Sequence, residues 1–402
     1  MQNKKQIQSN IDRFILIECC NFENFPVGGQ LLFAKQIMKV YKEKVALVGL
    51  TSSLNDKIGV WQEKEFDGKN YLFLPVKFVK VSYKKPIIPL RLQCLFALLK
   101  HRRKILELGI NKVFTQCPEA LFVISSLNFA NICYNAAGLN NPLKASRYKW
   151  ARLFTRIFEV FFYRNLRKAK LILASADEEE IEKFKSKKPW YLYHVPIYHF
   201  PTRVNTDIFK PRDMKECRKI LNLDPNKLII VTVGRISKVK GWDFLLETLS
   251  LIKEKKPNVL LVFVGDGEDK NKLIDYSSNK GLQNNIIITG AIDASTVSLW
   301  INAAELVWVG STLEGWSLAM LEAIACGKPI VSTNVSGAKD LIVPWKNGFI
   351  VEERNPQYFA EYTFKALELD PKIVKETCLE ITEKYSIKTL KNDLDSLWLI
   401  KN

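Results

Sequence analysis

Long hydrophobic runs are missing from this chain, and none approaches the roughly 20 apolar residues that a bilayer-crossing helix needs. The opening segment, MQNKKQIQSNIDR, has no apolar stretch of the kind a secretory leader carries, so no leader is expected. Histidine is scarce: His101, His194 and His199 are the only three. Cysteine occurs eight times, at 19, 20, 94, 117, 133, 217, 326 and 378, yet with no CxxC pair and no pairing rhythm. These thiols read as reduced and cytosolic, not as a disulfide framework or a zinc site. Internal repeats and low-complexity tracts are absent too. No Gly-x-Gly-x-x-Gly follows a strand, so a nicotinamide cofactor is not expected.

What is present is globular. The 402 residues are 47% hydrophobic and 25% charged, enough apolar mass for two cores. The net charge of +18 is lopsided. Residues 1–200 hold 33 Lys+Arg against 16 Asp+Glu, whereas residues 201–402 hold 27 against 26. A field confined to one half attracts a polyanion or an anionic surface and says nothing about fold.

Apolar runs at 14–17 and 45–50 flank a Gly28-Gly29 turn and a helix-like segment at 30–41, the βαβ pattern of a parallel sheet. Further strands are expected at 71–74, 112–115, 131–134 and 171–174. The second half repeats the plan with strands at 228–234, 259–265, 285–290, 306–310 and 329–333, several closing on glycine. Helices are expected from about Trp242, Lys270, Ser295 and Ser317. Two doubly wound α/β domains are the economical reading. The first covers residues 1–200 and the second 201–385, with a proline-punctuated linker at 195–211. A terminal helix at 386–402 is expected to cross back to the first domain.

The chemistry concentrates in two loops of the second half. Glu314-Gly315-Trp316-Ser317-Leu318 leads into a helix that is apolar except at Glu322, and a lone carboxylate there needs a partner or a cleft. Ser317 reads as the helix N-cap and Gly327 as its stop. Glu314 follows a strand, so it falls at the carboxyl end of the sheet, where open α/β folds bind ligands. The helix N-terminus beside it favours an anion. In the other loop, Arg235 offers a fork for phosphate oxygens and Lys240 a mobile charge. The set suits a ligand with sugar hydroxyls and phosphates.

These residues resemble the retaining glycosyltransferases of family 4, the glycogen-synthase-like "glycosyl transferases group 1". The likeness rests on Gly234-Arg235, Lys240-Gly241, Gly265-Asp266-Gly267, Glu314 to Pro329, Gly337 and Asn347-Gly348. It covers most of the second half and thins in the first to the Gly28-Gly29 loop and the strand rhythm. It implies the GT-B fold, two Rossmann-like domains facing a cleft. It also implies a hexosyltransferase-type enzyme, with a nucleoside-diphosphate sugar, a UDP-sugar by expectation, as donor substrate and no separate cofactor. By the same resemblance Glu322 would hold the ribose, and Glu314 the transferred sugar. Arg235 and Lys240 would stabilise the departing diphosphate. Gly29 would approach the diphosphate or the sugar from the first domain, and the base would rest near Gly290 to Ile292. Catalytic roles fall to Arg235, Lys240 and Glu314. The backbone from Gly315 to Leu318 joins the binding set.

One departure stands out. Many relatives carry a histidine where this chain reads Asn135-Ala136-Ala137-Gly138, and no role passes securely to Asn135. His194 and His199, among aromatics near the linker, read as structural. No metal is expected: Asp393-Leu394-Asp395 is a DxD string, but it lies in a helical segment with no strand before it.

Nine basic and no acidic residues lie between Lys77 and Lys104, and nine basic residues with one glutamate lie between Lys144 and Lys170. In the second stretch Lys149, Arg152 and Arg156 draw one stripe on a helix that also carries Trp150, Phe154, Phe158, Phe161 and Phe162. Basic amphipathic helices with aromatics suit an anionic membrane surface; the plainer account is a solvated face over buried aromatics. A glycosyltransferase making cell-surface glycan or polysaccharide, acting on a lipid-linked or glycan acceptor, fits best. It would sit in the cytoplasm, peripheral at the inner face of the membrane. A GT-B epimerase or hydrolase is the alternative. Nucleic acid is not expected as a partner, because no reader module is present.

Overall fold

A computed structural model describes residues 13–26, 28–82, 86–127, 129–136, 143 and 148–399. Lys84, Lys85, Lys144 and the Ala137-Gly138 pair fall outside this range. The chain divides into two compact units, residues 1–201 with 390–402, and residues 202–389.

The first unit runs β1 (Phe14–Ile17), α1 (Gly29–Tyr41), β2 (Val45–Thr51), β3 (Gln62–Phe66), β4 (Lys69–Phe78), α2 (Leu90–Leu106), β5 (Lys112–Thr115), α3 (Pro118–Ile124), β6 (Asn131–Ala136), α4 (Thr155–Leu166), β7 (Leu171–Ala174), α5 (Glu178–Lys187) and β8 (Ile197–His199). Its strands stand in the order β3-β4-β2-β1-β5-β6-β7-β8. All pair in parallel except β3, which runs antiparallel along β4. Every residue of β1, β2, β6 and β7 is buried, as a sheet covered by helices on both faces requires. Two strands of this sheet were not expected, and in the second unit neither was the edge strand Gly348–Val351. β3 reads QEKEF, a charged edge strand with little apolar signal. β8 lies inside the stretch expected to be linker, so that linker is shorter, and the units part between Pro201 and Thr202.

The second unit carries α6 (Met214–Ile220), β9 (Leu228–Val233), α7 (Trp242–Lys255), β10 (Val259–Val264), α8 (Lys270–Asn279), β11 (Ile286–Ile288), α9 (Ala294–Ala303), β12 (Leu306–Val309), α10 (Leu318–Ala325), β13 (Ile330–Thr333), α11 (Ala338–Leu341), β14 (Gly348–Val351), α12 (Pro356–Leu367) and α13 (Pro371–Lys384). Six parallel strands stand in the order β11-β10-β9-β12-β13-β14. Two hydrophobic layers sandwich them, one built on Trp308, Phe244 and Phe359, the other on Met320, Leu321 and Tyr385. α10 ends where expected: Gly327 takes φ 70°, and the N–H groups of Gly327 and Lys328 return to Ile324 and Ala323.

A last helix, α14 (Ile387–Leu394), leads to a π-helical turn at Asp395–Leu399. Residues 390–402 belong to the first unit. There Trp398 is fully buried, donates its indole N–H to Asn131 Oδ1, and meets Phe14 and Phe114 edge-on. Tyr41 Oη donates to Asp395 at 2.7 Å, so the second aspartate of the DxD string serves packing. Among the described residues no helix is long and apolar enough to cross a membrane.

Candidate functional site

In open α/β sheets the crevice for a ligand opens where the strand order reverses, outside the carboxyl ends. In the second sheet that point lies between β9 and β12, whose chains depart to opposite sides. The loops leaving these strands are stitched together. The Thr312 N–H donates to Val239 O at 2.8 Å. Gly241, at φ 73°, comes so close to Gly310 that a Cβ there would stand 2.0 Å from its carbonyl oxygen.

This close approach brings the charged residues together. Lys240 Nζ donates to both oxygens of Glu314, at 2.6 and 2.9 Å. Ser311 Oγ donates to Glu314 Oε1 at 2.6 Å. The expected roles put Lys240 on phosphate and Glu314 on sugar; here the two hold each other, and a ligand must share or open the pair. Arg235 remains exposed, with Glu268 at 3.9 Å as a distant counter-charge. Thr232, Gly234, Arg235, Lys240, Glu314 and Ala319 line the hollow between the loops.

α10 closes the other side. Met320, Leu321, Ala323, Ile324 and Ala325 are buried, which leaves Leu318, Ala319 and Glu322 on its one open face. Glu322 keeps part of its surface exposed, yet the apolar packing around its carboxyl strips enough water to push its pKa up to about 8. Among the described residues no side chain pairs with it. Ser317 occupies the N-cap position, but its hydroxyl does not cap the helix; it is buried and finds no partner among the described residues. The helix thus starts where expected, although the hydroxyl is turned into the protein and gives no capping bond. Trp316 also points inward, 5.5 Å from the Tyr385 ring, so only its backbone could meet a ligand. At the expected base-binding stretch, Thr289 Oγ1 donates to Gly290 O at 2.8 Å.

The first unit has its own switch point, between β1 and β5, and sequence reading missed what is there. Glu18, at the end of β1, is buried, and desolvation pushes its carboxyl up to about 7. It accepts from the Gln116 N–H at 2.8 Å and from the Cys117 thiol at 3.1 Å. Gln116 Nε2 donates to Gln30 O at 3.0 Å, and Arg91 donates to Gln30 Oε1 at 3.1 Å. This network fixes the first turn of α1, whose opening residue is Gly29. Gly29 is exposed, and a Cβ there would meet nothing within 4 Å, so nothing around it demands glycine. Asn135 is buried, with its Nδ2 3.5 Å from Gln116 Oε1 and its own Oδ1 unpaired among the described residues. The signal was available in principle: Glu18 and Gln116 each directly follow an apolar strand.

All eight cysteines are free and buried. Cys19, Cys117 and Glu119 place possible ligand atoms within 4.8 Å of one another, a group that sequence spacing did not reveal. The donor set suits a cation poorly. The hydrogen bond with Cys19 and burial hold the Cys117 thiol well above its ordinary pKa, and the Arg91 guanidinium already faces Glu119 at 3.8 Å.

Residues 213–384 match the family model described as "Glycosyl transferases group 1". The second unit belongs to that family. A D-inositol 3-phosphate glycosyltransferase of Segniliparus rotundus is 30% identical over 161 residues, which cover 39% of this chain and 36% of that protein. The matched stretches span between 35% and 47% of the length of the curated relatives. Among solved structures, the sucrose-phosphate synthase of Thermosynechococcus elongatus superposes with a TM-score of 0.77 at 18% identity, covering 96% of this chain and 98% of that one. Anabaena HepE, solved in complex with UDP-glucose, gives a TM-score of 0.71 at 17% identity, covering 96% and 98%. The group 1 domain thus sits in a chain of GT-B fold.

Proposed function

We propose that the chain is a retaining glycosyltransferase that takes a sugar from a nucleoside-diphosphate sugar without help from a metal ion. The observation that carries this reading is the switch-point crevice of the second unit. There an exposed Arg235 and the Lys240–Glu314 pair line one hollow together with Ser317 and Ala319 at a helix N-terminus, and the same helix carries the unpaired carboxyl of Glu322 on its open face. Departure of a nucleoside diphosphate builds negative charge, and fixed cations with backbone N–H groups stabilise it. Arg235 would take phosphate oxygens as a fork. Lys240 would exchange one Glu314 oxygen for a phosphate oxygen, releasing that carboxylate toward sugar hydroxyls. Glu322 would hold the ribose. The binding of UDP-glucose by Anabaena HepE, on the same fold, supports UDP as the nucleotide.

Retention follows from the family resemblance. The acceptor oxygen would attack the anomeric carbon on the face the diphosphate leaves. Its proton would pass to the departing phosphate oxygen, so no protein base is needed. That accords with the lack of histidine near Asn135.

The charge split supports an acceptor that is lipid-linked or part of an anionic polysaccharide, in cell-surface glycan biosynthesis. The basic first unit would then meet the inner face of the cytoplasmic membrane. Incubation with a panel of labelled nucleotide sugars and membrane extract tests this. Label should enter a lipid or glycan from one donor, in EDTA as well as without it, and proton NMR of fresh product should show the donor's anomeric configuration. Free sugar or an epimerised nucleotide as the sole product would contradict the proposal.

A further inference from the structure

α4 and the 3₁₀ turn before it, Lys149–Phe154, divide their side chains among three faces. Phe158 and Phe162 stack on each other and turn to the core, Phe158 meeting Phe122 and Phe162 meeting Tyr134, and Leu166 is buried beyond them. A second flank carries Arg152, Arg156 and Arg167, all exposed. The third face is open and mostly apolar, with the exposed Arg164 at its far end. Leu153 is 82% exposed, Val160 63%, and Ile157 and Phe161 56% each, with Phe154 and Trp150 about half exposed. The spacing 153, 154, 157, 160, 161 is one continuous helical stripe. The plainer account of this helix, with its aromatics buried as core, therefore holds for only two of the five, Phe158 and Phe162.

The stripe extends beyond the helix. Tyr148 Oη donates to Pro86 O at 2.6 Å, which seats the Pro86–Pro89 segment beside the turn, and there Ile87 is 96% exposed. Folding has not hidden this surface, although α4 is firmly held along its core face.

We infer that the exposed stripe of α4, with the turn before it and Ile87, is an insertion element that enters the surface of an anionic lipid bilayer. This deepens the membrane reading above and rests on it: charge would bring the first unit to the bilayer, and this apolar stripe would keep it there. Three features select lipid as the occupant. Large aliphatic and aromatic side chains form one row, with guanidinium groups along its flank at the height of lipid phosphates. The charge of the segment is nearly all of one sign, with Glu159 its only acid. A second copy of this chain would set the same arginines against each other, a like-charge cost that an anionic bilayer does not incur.

Insertion and simple electrostatic attraction respond differently to salt, because the Debye length falls to about 3 Å at 1 M while apolar burial persists. Flotation of the full chain with phosphatidylglycerol-rich and with phosphatidylcholine vesicles, at low salt and at about 0.5 M salt, separates them. The wild type is expected to favour the anionic vesicles and to keep a substantial bound fraction in high salt. Ile157→Ser with Phe161→Ser should lower high-salt binding about tenfold or more. Affinity for UDP, measured on the same samples, should stay unchanged and report an intact fold. Arg152→Gln with Arg156→Gln should instead weaken the low-salt preference for anionic vesicles. If the serine variant binds like the wild type at both salts, or wild-type binding vanishes in high salt, insertion is overturned while a purely electrostatic membrane contact stands. Failure of the wild type to float with either vesicle overturns the membrane reading as well. A wild-type dimer by light scattering that the serine variant converts to monomer would make the stripe a self-interface and overturn the proposal.

Discussion

Lys240 Nζ stands within hydrogen-bonding distance of both carboxylate oxygens of Glu314, although 74 residues separate the two in sequence. The side chain of Glu314 is only 9% exposed and that of Lys240 34%, so the pair sits at the edge of the crevice with its cation toward solvent. A ligand diphosphate would meet the lysine first.

That geometry separates binding from turnover. Glu314→Gln keeps an acceptor for Ser311 and frees Lys240, so affinity for UDP should change by less than about threefold. Transfer should fall at least about tenfold, because under the proposed role the lost interaction would be with the sugar undergoing reaction. Calorimetry and initial rates on one preparation check both halves.

Among the described residues Arg235 makes only a long contact with Glu268, and removing it leaves none of their buried groups unpaired. Arg235→Ala should therefore shift unfolding free energy by no more than about 0.5 kcal/mol. Its affinity for UDP should drop about ten- to a hundredfold, the cost of losing a charge-assisted contact of about 1.5–3 kcal/mol. A denaturant titration beside a binding titration shows whether the two effects part in this way.

Glu322 gives stability a pH signature. Its folded pKa of about 8 lies above the ordinary glutamate value of 4.5, so between these values the unfolded chain has lost a proton that the folded chain keeps. Stability from this group is full below the lower value and drains away as pH rises through the window. Glu322→Gln should be near neutral at pH 5. At pH 8.5 it should be more stable than wild type, by an amount on the order of 1–2 kcal/mol after allowance for partial exposure. Glu18, raised to about 7, keeps its own share of the slope in the variant. Denaturant midpoints across this range test the sign.

Gln116 ties Glu18 to the first turn of α1. Gln116→Ala would leave the Gln30 carbonyl without this donor and should lower stability by about 1–3 kcal/mol. Hydrogen exchange should show faster opening of the residues that begin α1.

Much of the fold was legible because buried parallel strands are built mostly from apolar residues. Phe14–Ile17, Lys112–Thr115 and Leu171–Ala174 stand where the apolar runs place them. Edge strands escaped because their outer side chains answer to water: QEKEF in β3 is polar until Phe66, so only its burial alternates, and the three residues of β8 sit among prolines. In the site, Arg235, Lys240 and Glu314 could be picked out by charge in loops after strands, and Glu322 as the lone carboxylate of an apolar helix. Their mutual contacts could not, because the Lys240–Glu314 pair exists only once β9 and β12 lie side by side. The fate of the aromatics in α4 was equally hidden, since Phe158 and Phe161 look alike in sequence and only packing decides which turns inward.

The central claim is that a nucleoside diphosphate is held at the β9–β12 crevice by Arg235 and Lys240. Calorimetric titration of UDP and of other nucleoside diphosphates into the wild type and into an Arg235→Ala/Lys240→Ala variant tests it most directly. The account predicts saturable binding of at least one nucleotide to the wild type and a loss of about a hundredfold or more in the variant, with the fold intact by circular dichroism. Equal affinity in the two proteins for every nucleotide that binds would contradict it.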